Sequence, residues 1–185
     1  MNVLAFYGDR METVSFRDTK ESVLVLRRGN SMAPKTIANG KVILAERDTA
    51  INNGELITRD STGEQFLIIA KQHSVDATQM QGRRVNGVVD VIKFEDVYEH
   101  YVLVDTKPVT VASEVPICYS DISASMKQHD AGLLQTTVKK IIIQPTVDVK
   151  LLYRIVLNGR NYKVTNVNTA AYVNLVELQV AEDNR

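Results

Sequence analysis
The sequence predicts an all-β protein, mostly strand with little helix, folded as two small barrel- or sandwich-like units. Three observations predict it. The apolar runs are short and rich in Val, Ile and Tyr, and Gly, Asn, Asp and Pro punctuate them as turns punctuate strands. Two hairpins are legible at the residue level. Only one stretch, 121–135, has any helical character, and Ser123, Ser125, His129, Asp130 and Gly132 weaken it.

The alternation places strands at 12–17, 23–28, 41–47, 55–60, 65–71 and 88–94 in the first half. In the second half it places them at 101–104, 108–119, 137–144, 152–157, 161–167 and 173–180. One hairpin turns around Ser61–Thr62–Gly63, and the other turns at Asn158–Gly159. Asn-Gly between apolar runs is a strong hairpin signal, because both residues tolerate the positive φ of a type I′ turn. Stretch 121–135, capped by Ser120 or Asp121, reads as a long mobile loop with one or two helical turns. A loop of that length in a compact β domain is usually functional or disordered.

The hairpins also suggest a repeat. Gly63-Glu64-Gln65-Phe66 and Gly159-Arg160-Asn161-Tyr162 share a glycine, a polar pair and an aromatic residue. Aliphatic strands precede both, at Val42-Ile43-Leu44 and Ile141-Ile142-Ile143. A tandem duplication and chance likeness between two hairpins both account for this. The expected division is 1–98 and 99–185, the units meeting near 95–106.

With 185 residues, 44% of them hydrophobic, the chain can bury a core in one large or two small domains. Lys and Arg total 22, as do Asp and Glu, so the formal net charge is zero. A protein whose main task is coating a phosphate backbone needs a basic surplus. The single cysteine, Cys118, lies in an apolar run and reads as a small core residue in a protein folded in a reducing compartment. No apolar run is long enough to cross a membrane as a helix, and the N-terminus does not read as a signal peptide.

Little in the sequence points to a cofactor or a metal. His73, His100 and His129 are scattered, without the spaced partners of a zinc site. No glycine-rich loop is built to cradle phosphate. Tryptophan is absent and aromatics make up 6%, which argues against base-stacking platforms. No catalytic, cofactor-binding or metal-ligating residue is therefore expected in the principal reading.

One motif carries enzyme-like chemistry. Gly29-Asn30-Ser31-Met32-Ala33-Pro34 resembles the Gly-Asp-Ser-Met-x-Pro motif of the LexA-type and signal-peptidase serine/lysine hydrolases, with Asn30 in place of Asp. The likeness runs on through Val42-Ile43-Leu44 and Asn53-Gly54-Glu55-Leu56-Ile57 to Lys71. It implies Ser31 as nucleophile and Lys71 as the base that takes its proton.

A second resemblance covers 138–182. An aliphatic strand, Lys140 to Pro145, leads into an Asp-containing bend and then Leu152-Tyr153-Arg154-Ile155-Val156. Asn158-Gly159-Arg160-Asn161-Tyr162-Lys163-Val164 and a closing alternating strand, Leu175 to Val180, follow. This pattern resembles the head–tail joining, or head-closure, proteins of tailed bacteriophages, whose single-domain members are shorter. The likeness implies a non-enzymatic virion protein, made and assembled in the host cytoplasm. It implies a homo-oligomeric ring, six- or twelvefold, in the neck between portal or adaptor and tail, with non-specific contact to packaged DNA and no membrane. Another tail or baseplate protein is the nearby alternative. The loop 120–134 is the expected lumen or interface segment, with Ser120, Asp121, Ser125, Lys127, His129 and Asp130 as its candidate residues. The edge 101–104 could join a neighbour's sheet.

Overall fold
The structure, a computed structural model, describes residues 3–27 and 40–184. After a 3-10 segment at Val3–Arg10 come β1 (Glu12–Phe16), β2 (Thr19–Arg27), β3 (Gly40–Ala45), β4 (Leu56–Arg59), β5 (Gln65–His73) and β6 (Thr78–Arg84). They close into an antiparallel barrel in the order β1-β2-β3-β6-β5-β4. A second closed barrel uses β7 (Gly87–Glu99), β8 (Val102–Asp121), β9 (Lys139–Ile143), β10 (Arg154–Leu157), β11 (Arg160–Tyr172) and β12 (Leu175–Glu182), with helix α1 (Ala124–His129) between β8 and β9. Its order, read from β7, is β7-β8-β9-β12-β11-β10, which matches the first barrel strand for strand.

The all-β class and the two barrel units are as the sequence predicts. The repeat extends to register. Ile43 faces Met80 across β3 and β6, and Ile141 faces Leu178 across β9 and β12. Ile57 faces Phe66 across β4 and β5, and Ile155 faces Tyr162 across β10 and β11. The spacing is 98 residues in β3, β4 and β6 (43 to 141, 57 to 155, 80 to 178). It drops to 96 from Phe66 to Tyr162, because the Asn158–Gly159 turn is two residues shorter than its counterpart. Asn158 and Gly159 have φ of 51° and 73°, as a type I′ turn demands.

Each barrel is filled by the inward-facing, alternate residues of its strands. Val14, Phe16, Ile43, Ile57, Phe66 and Met80 belong to the first core. Val91, Ile117, Ile141, Ile155, Val164 and Leu178 belong to the second. Six-stranded barrels are narrow enough that such side chains occupy the interior.

The chain divides at Val85–Asn86, with Tyr172–Leu175 counted with the first unit. The boundary expected at 98/99 falls inside β7. Val89 and Ile92 pair with Leu157 and Arg154 of β10, so 87–94 close the second barrel rather than complete the first.

The seam that closes the first barrel is short: β1 meets β4 only at Val14–Arg59 and Ser15–Thr58. Side chains reinforce it. Arg59 forks onto Glu12 at 2.5 and 2.8 Å and reaches Glu64 at 2.8 Å. Burial opposes the charge on Arg59, but the hydrogen bonds and charges of Glu12 and Glu64 outweigh it and raise its pKa. Asp60 accepts from Lys20 Nζ at 2.7 Å and from the Ser15 hydroxyl at 2.5 Å, and these bonds lower its carboxyl pKa. A carboxyl whose folded pKa is lowered stabilises the fold above its unfolded value of about 4. That contribution is lost as pH falls through the lowered folded value. Asp60→Asn is therefore expected to flatten the acid limb of a plot of urea midpoint against pH, and to leave the slope near neutrality unchanged.

Candidate functional site
The second barrel grows an arm. β10 begins at Arg154, which pairs with Ile92, so it covers β7 no further than that residue. β9 pairs with β8 from Cys118 to Asp121. Beyond these points β7 and β8 pair with each other, from Lys93–Val109 out to Glu99–Val102. Seven rungs at about 3.3 Å each make a two-stranded ribbon roughly 23 Å long. The Val- and Tyr-rich strands favour extension, and His100 and Tyr101 turn the tip with φ of 50° and 67°. Two-stranded ribbons are marginal in water on their own, and this one displays apolar side chains at its end. Tyr101 is fully exposed, Tyr98 and Val102 are 62% exposed, and Leu103 and Val104 are half exposed.

One face of the arm runs from its root to its tip through the rungs Phe94–Pro108, Asp96–Thr106 and Tyr98–Leu103. At the root, the Arg154 guanidinium lies 4.7 Å from the centre of the Phe94 ring. The β9–β10 connection brings Leu151, Leu152 and Tyr153 alongside, enclosing with Phe94, Asp96 and Thr106 an open cleft of about 570 Å³. Leu151 and Leu152 are 57% and 62% exposed. Leu152 sits at φ 69°, held there by its own N–H on the Val164 carbonyl at 2.9 Å. Lys93 and Lys150 flank Tyr153, and hydrogen bonds to Glu95 and Asp148 raise their pKa values. Both therefore stay charged. The outer arm is acidic, with Glu95, Asp96, Glu99 and Asp105 against Lys107.

The segment 120–134, the expected interface loop, has its own architecture. Ser120 and Asp121 end β8, and Asp121 pairs with Lys139. Ser123 caps α1 by accepting the Met126 N–H at 3.2 Å. Ser125 is exposed on α1, as is His129 at its end. Lys127 Nζ donates to the Gln135 carbonyl at 2.6 Å. Asp130, at the C-cap, accepts the Gly132 N–H at 3.0 Å and lies 3.5 Å from Lys140 Nζ. The return limb is clamped from β12. Gln179 Oε1 accepts from the Leu134 N–H at 3.0 Å and the Thr137 hydroxyl at 2.8 Å, while Nε2 donates to the Gly132 carbonyl at 2.7 Å. Leu133 is buried beside it. The six-residue helix is the one or two helical turns that the sequence suggests, and the return limb is clamped. Gln179→Ala strands a buried hydroxyl and two backbone groups, and should cost about 2 kcal/mol. Amide exchange is expected to speed up across 132–137 while strands β9 and β12 stay protected.

The hydrolase motif is divided. Ser31 lies outside the described residues. Lys71, on β5, donates to the carbonyls of Thr49 at 3.2 Å and Ile51 at 2.7 Å, and to Asn52 Oδ1 at 3.3 Å. All three of its protons are thus directed at oxygen acceptors, where it ties the 49–52 turn to the barrel. Cys118 is buried, the core role expected of it. Among the described residues no three His, Cys, Asp or Glu side chains gather as metal ligands.

The structure brings Asp121, Lys127 and Asp130 into one hydrogen-bonded segment, while Ser125 and His129 face solvent. It adds residues that sequence reasoning passed over: Phe94, Leu151 and Leu152 around the cleft, and Gln179 behind the loop. An adjacent pair of leucines in a polar bend was the one available signal. No family model matches the chain, and no curated protein or solved structure proves similar to it.

Proposed function
We propose that this chain is a structural virion protein of a tailed phage, forming a ring in the neck that joins the DNA-filled head to the tail and helps close the DNA channel. It acts without catalysis, and its partners are copies of itself, the portal or adaptor above and tail proteins below. The observation that carries this reading is the arm: a ribbon standing off a closed barrel, with an apolar tip and strand edges that the barrel does not cover. Closed barrels have no spare edge of their own, so an arm of this kind serves contact with other chains rather than the stability of its own. Segment 120–134 offers a second surface, with Lys127 and His129 on α1 as its contacts to DNA.

The test is to purify particles and the isolated chain in parallel. The expected result is that the chain is present in particles at a fixed ring-like stoichiometry. Light scattering of the isolated chain across a concentration series, alone and with portal, should show a discrete six- or twelvefold species. A chain missing from particles, and monomeric or dimeric whether or not portal is present, overturns the reading. Ser31→Ala is expected to change neither result.

A further inference from the structure
We infer that the arm tip of one copy docks in the cleft at the arm root of a neighbouring copy, so that subunits join head to tail. The inference rests on the ring-forming reading above and names the contact that builds the ring. Three observations carry it.

First, the two surfaces match in chemistry. The tip presents Tyr98, Tyr101 and Val102 to solvent, and the root presents Leu151 and Leu152 on the rim of an open cleft of about 570 Å³. Exposed apolar groups gathered in this way are characteristic of contact sites, and a tyrosine entering a pocket is a common interface anchor.

Second, charge favours the root over another arm. The outer arm carries Glu99 and Asp105, whereas the root carries Lys93 and Lys150, held to Glu95 and Asp148 at 2.5 and 3.1 Å near Asp96 of the cleft. Surface pairs of this kind are worth little, so a carboxylate from a neighbour's tip can share these lysines. Two acidic arms laid side by side would instead set like charges together, which disfavours arm-to-arm pairing.

Third, a chain cannot satisfy itself. From Phe94 at the cleft to Glu99 at the tip, β7 is paired to β8 at nearly every step. The turn at His100 and Tyr101 is thereby held about 10 Å beyond Asp96, the outermost β7 residue of its own cleft. Tip and root are different surfaces, so the contact is heterologous. It generates a ring when the rotation closes and a filament when it does not.

The experiment uses the full chain and two exposed substitutions, Tyr101→Asp at the tip and Leu151→Asp at the root, each checked for an unchanged far-UV spectrum. Sedimentation velocity across a concentration series is expected to show wild type assembling and each variant alone as monomer. Mixed in equal amounts, the variants should form a one-to-one pair and stop there. The Leu151→Asp chain supplies an intact tip, and the Tyr101→Asp chain an intact root. Assembly of Leu151→Asp as readily as wild type overturns the inference in favour of arm-to-arm pairing. So does a wild-type chain that stays monomeric at every concentration. The neck reading is separable from both results, because a chain present in particles at ring-like stoichiometry sustains it even where this particular contact fails.

Discussion

Replacing Asp183 with alanine should lower the stability of the second barrel by about 3 kcal/mol, the low end of what removing one partner of a buried ion pair costs. The Asp183 side chain is 2% exposed and accepts from Arg154 Nε at 2.9 Å, and Arg154 is itself only 14% exposed. The Asp183 N–H also bonds the Asn161 carbonyl at 3.1 Å, so the residue fastens the end of β12 to the β10–β11 hairpin. Removing the carboxylate leaves a guanidinium in a nearly dry position against the Phe94 ring, where its charge is costly. Asp183→Asn keeps a hydrogen-bond acceptor and should lose less. Leucine at both 154 and 183 should recover much of the loss, since an apolar pair of similar volume can replace a buried ion pair. Urea midpoints for the four proteins provide the check. Equal midpoints for wild type and Asp183→Ala would show that Arg154 does not depend on this carboxylate. Because Phe94 roots the arm, the alanine variant is also expected to weaken self-association, and Asp183→Asn much less so.

The barrels were legible because burial inside a barrel is one-sided. Inward and outward residues alternate, and the alternation in 41–47, 55–60 and 65–71 reports which face is wet. The Asn158–Gly159 turn was legible for a local reason, the φ values it requires. The arm was not. Residues 95–106 suggest a junction between units, since Glu95, Asp96, Glu99 and Asp105 interrupt the apolar pattern as a linker does. A two-stranded ribbon is wet on both faces, so it has no buried side to impose alternation, and its polarity imitates a linker. The exposed Leu151 and Leu152 were hidden for the opposite reason, since nothing in a sequence distinguishes a leucine on a cleft rim from one in a core. The clamp on 132–137 depends on Gln179, more than forty residues downstream, a distance that local pattern cannot span. The likeness between the hairpins, ambiguous in sequence, becomes a shared strand order and shared register once the pairings are set side by side.

The second large effect is expected in the first barrel, where Phe66→Ala should cost about 3–5 kcal/mol. Phe66 is fully buried and faces Ile57 across β4 and β5. Phe66 pairs with Arg84 on β6, and its diagonal neighbour there is the buried Gly82, which pairs with Ile68. A Cβ placed on Gly82 would lie 3.4 Å from Phe66 Cβ and 2.7 Å from Ile43 Cδ1. The glycine therefore leaves room that the tip of Ile43 occupies, beside the base of the Phe66 side chain. Truncating Phe66 opens a cavity there, and a residue without a side chain has nothing to move into it. The second barrel solves the same position differently, with Val180 in place of Gly82 and Tyr162 in place of Phe66, both buried. Gly82→Val alone should then cost about 1–3 kcal/mol through overpacking against Ile43. Added to Phe66→Ala, it should give back part of the cavity cost, so the double variant should be more stable than the sum of the two losses predicts. Strict additivity in a denaturant titration would mean that the two side chains do not share this space, and that the barrels differ here in more than which residue fills the core.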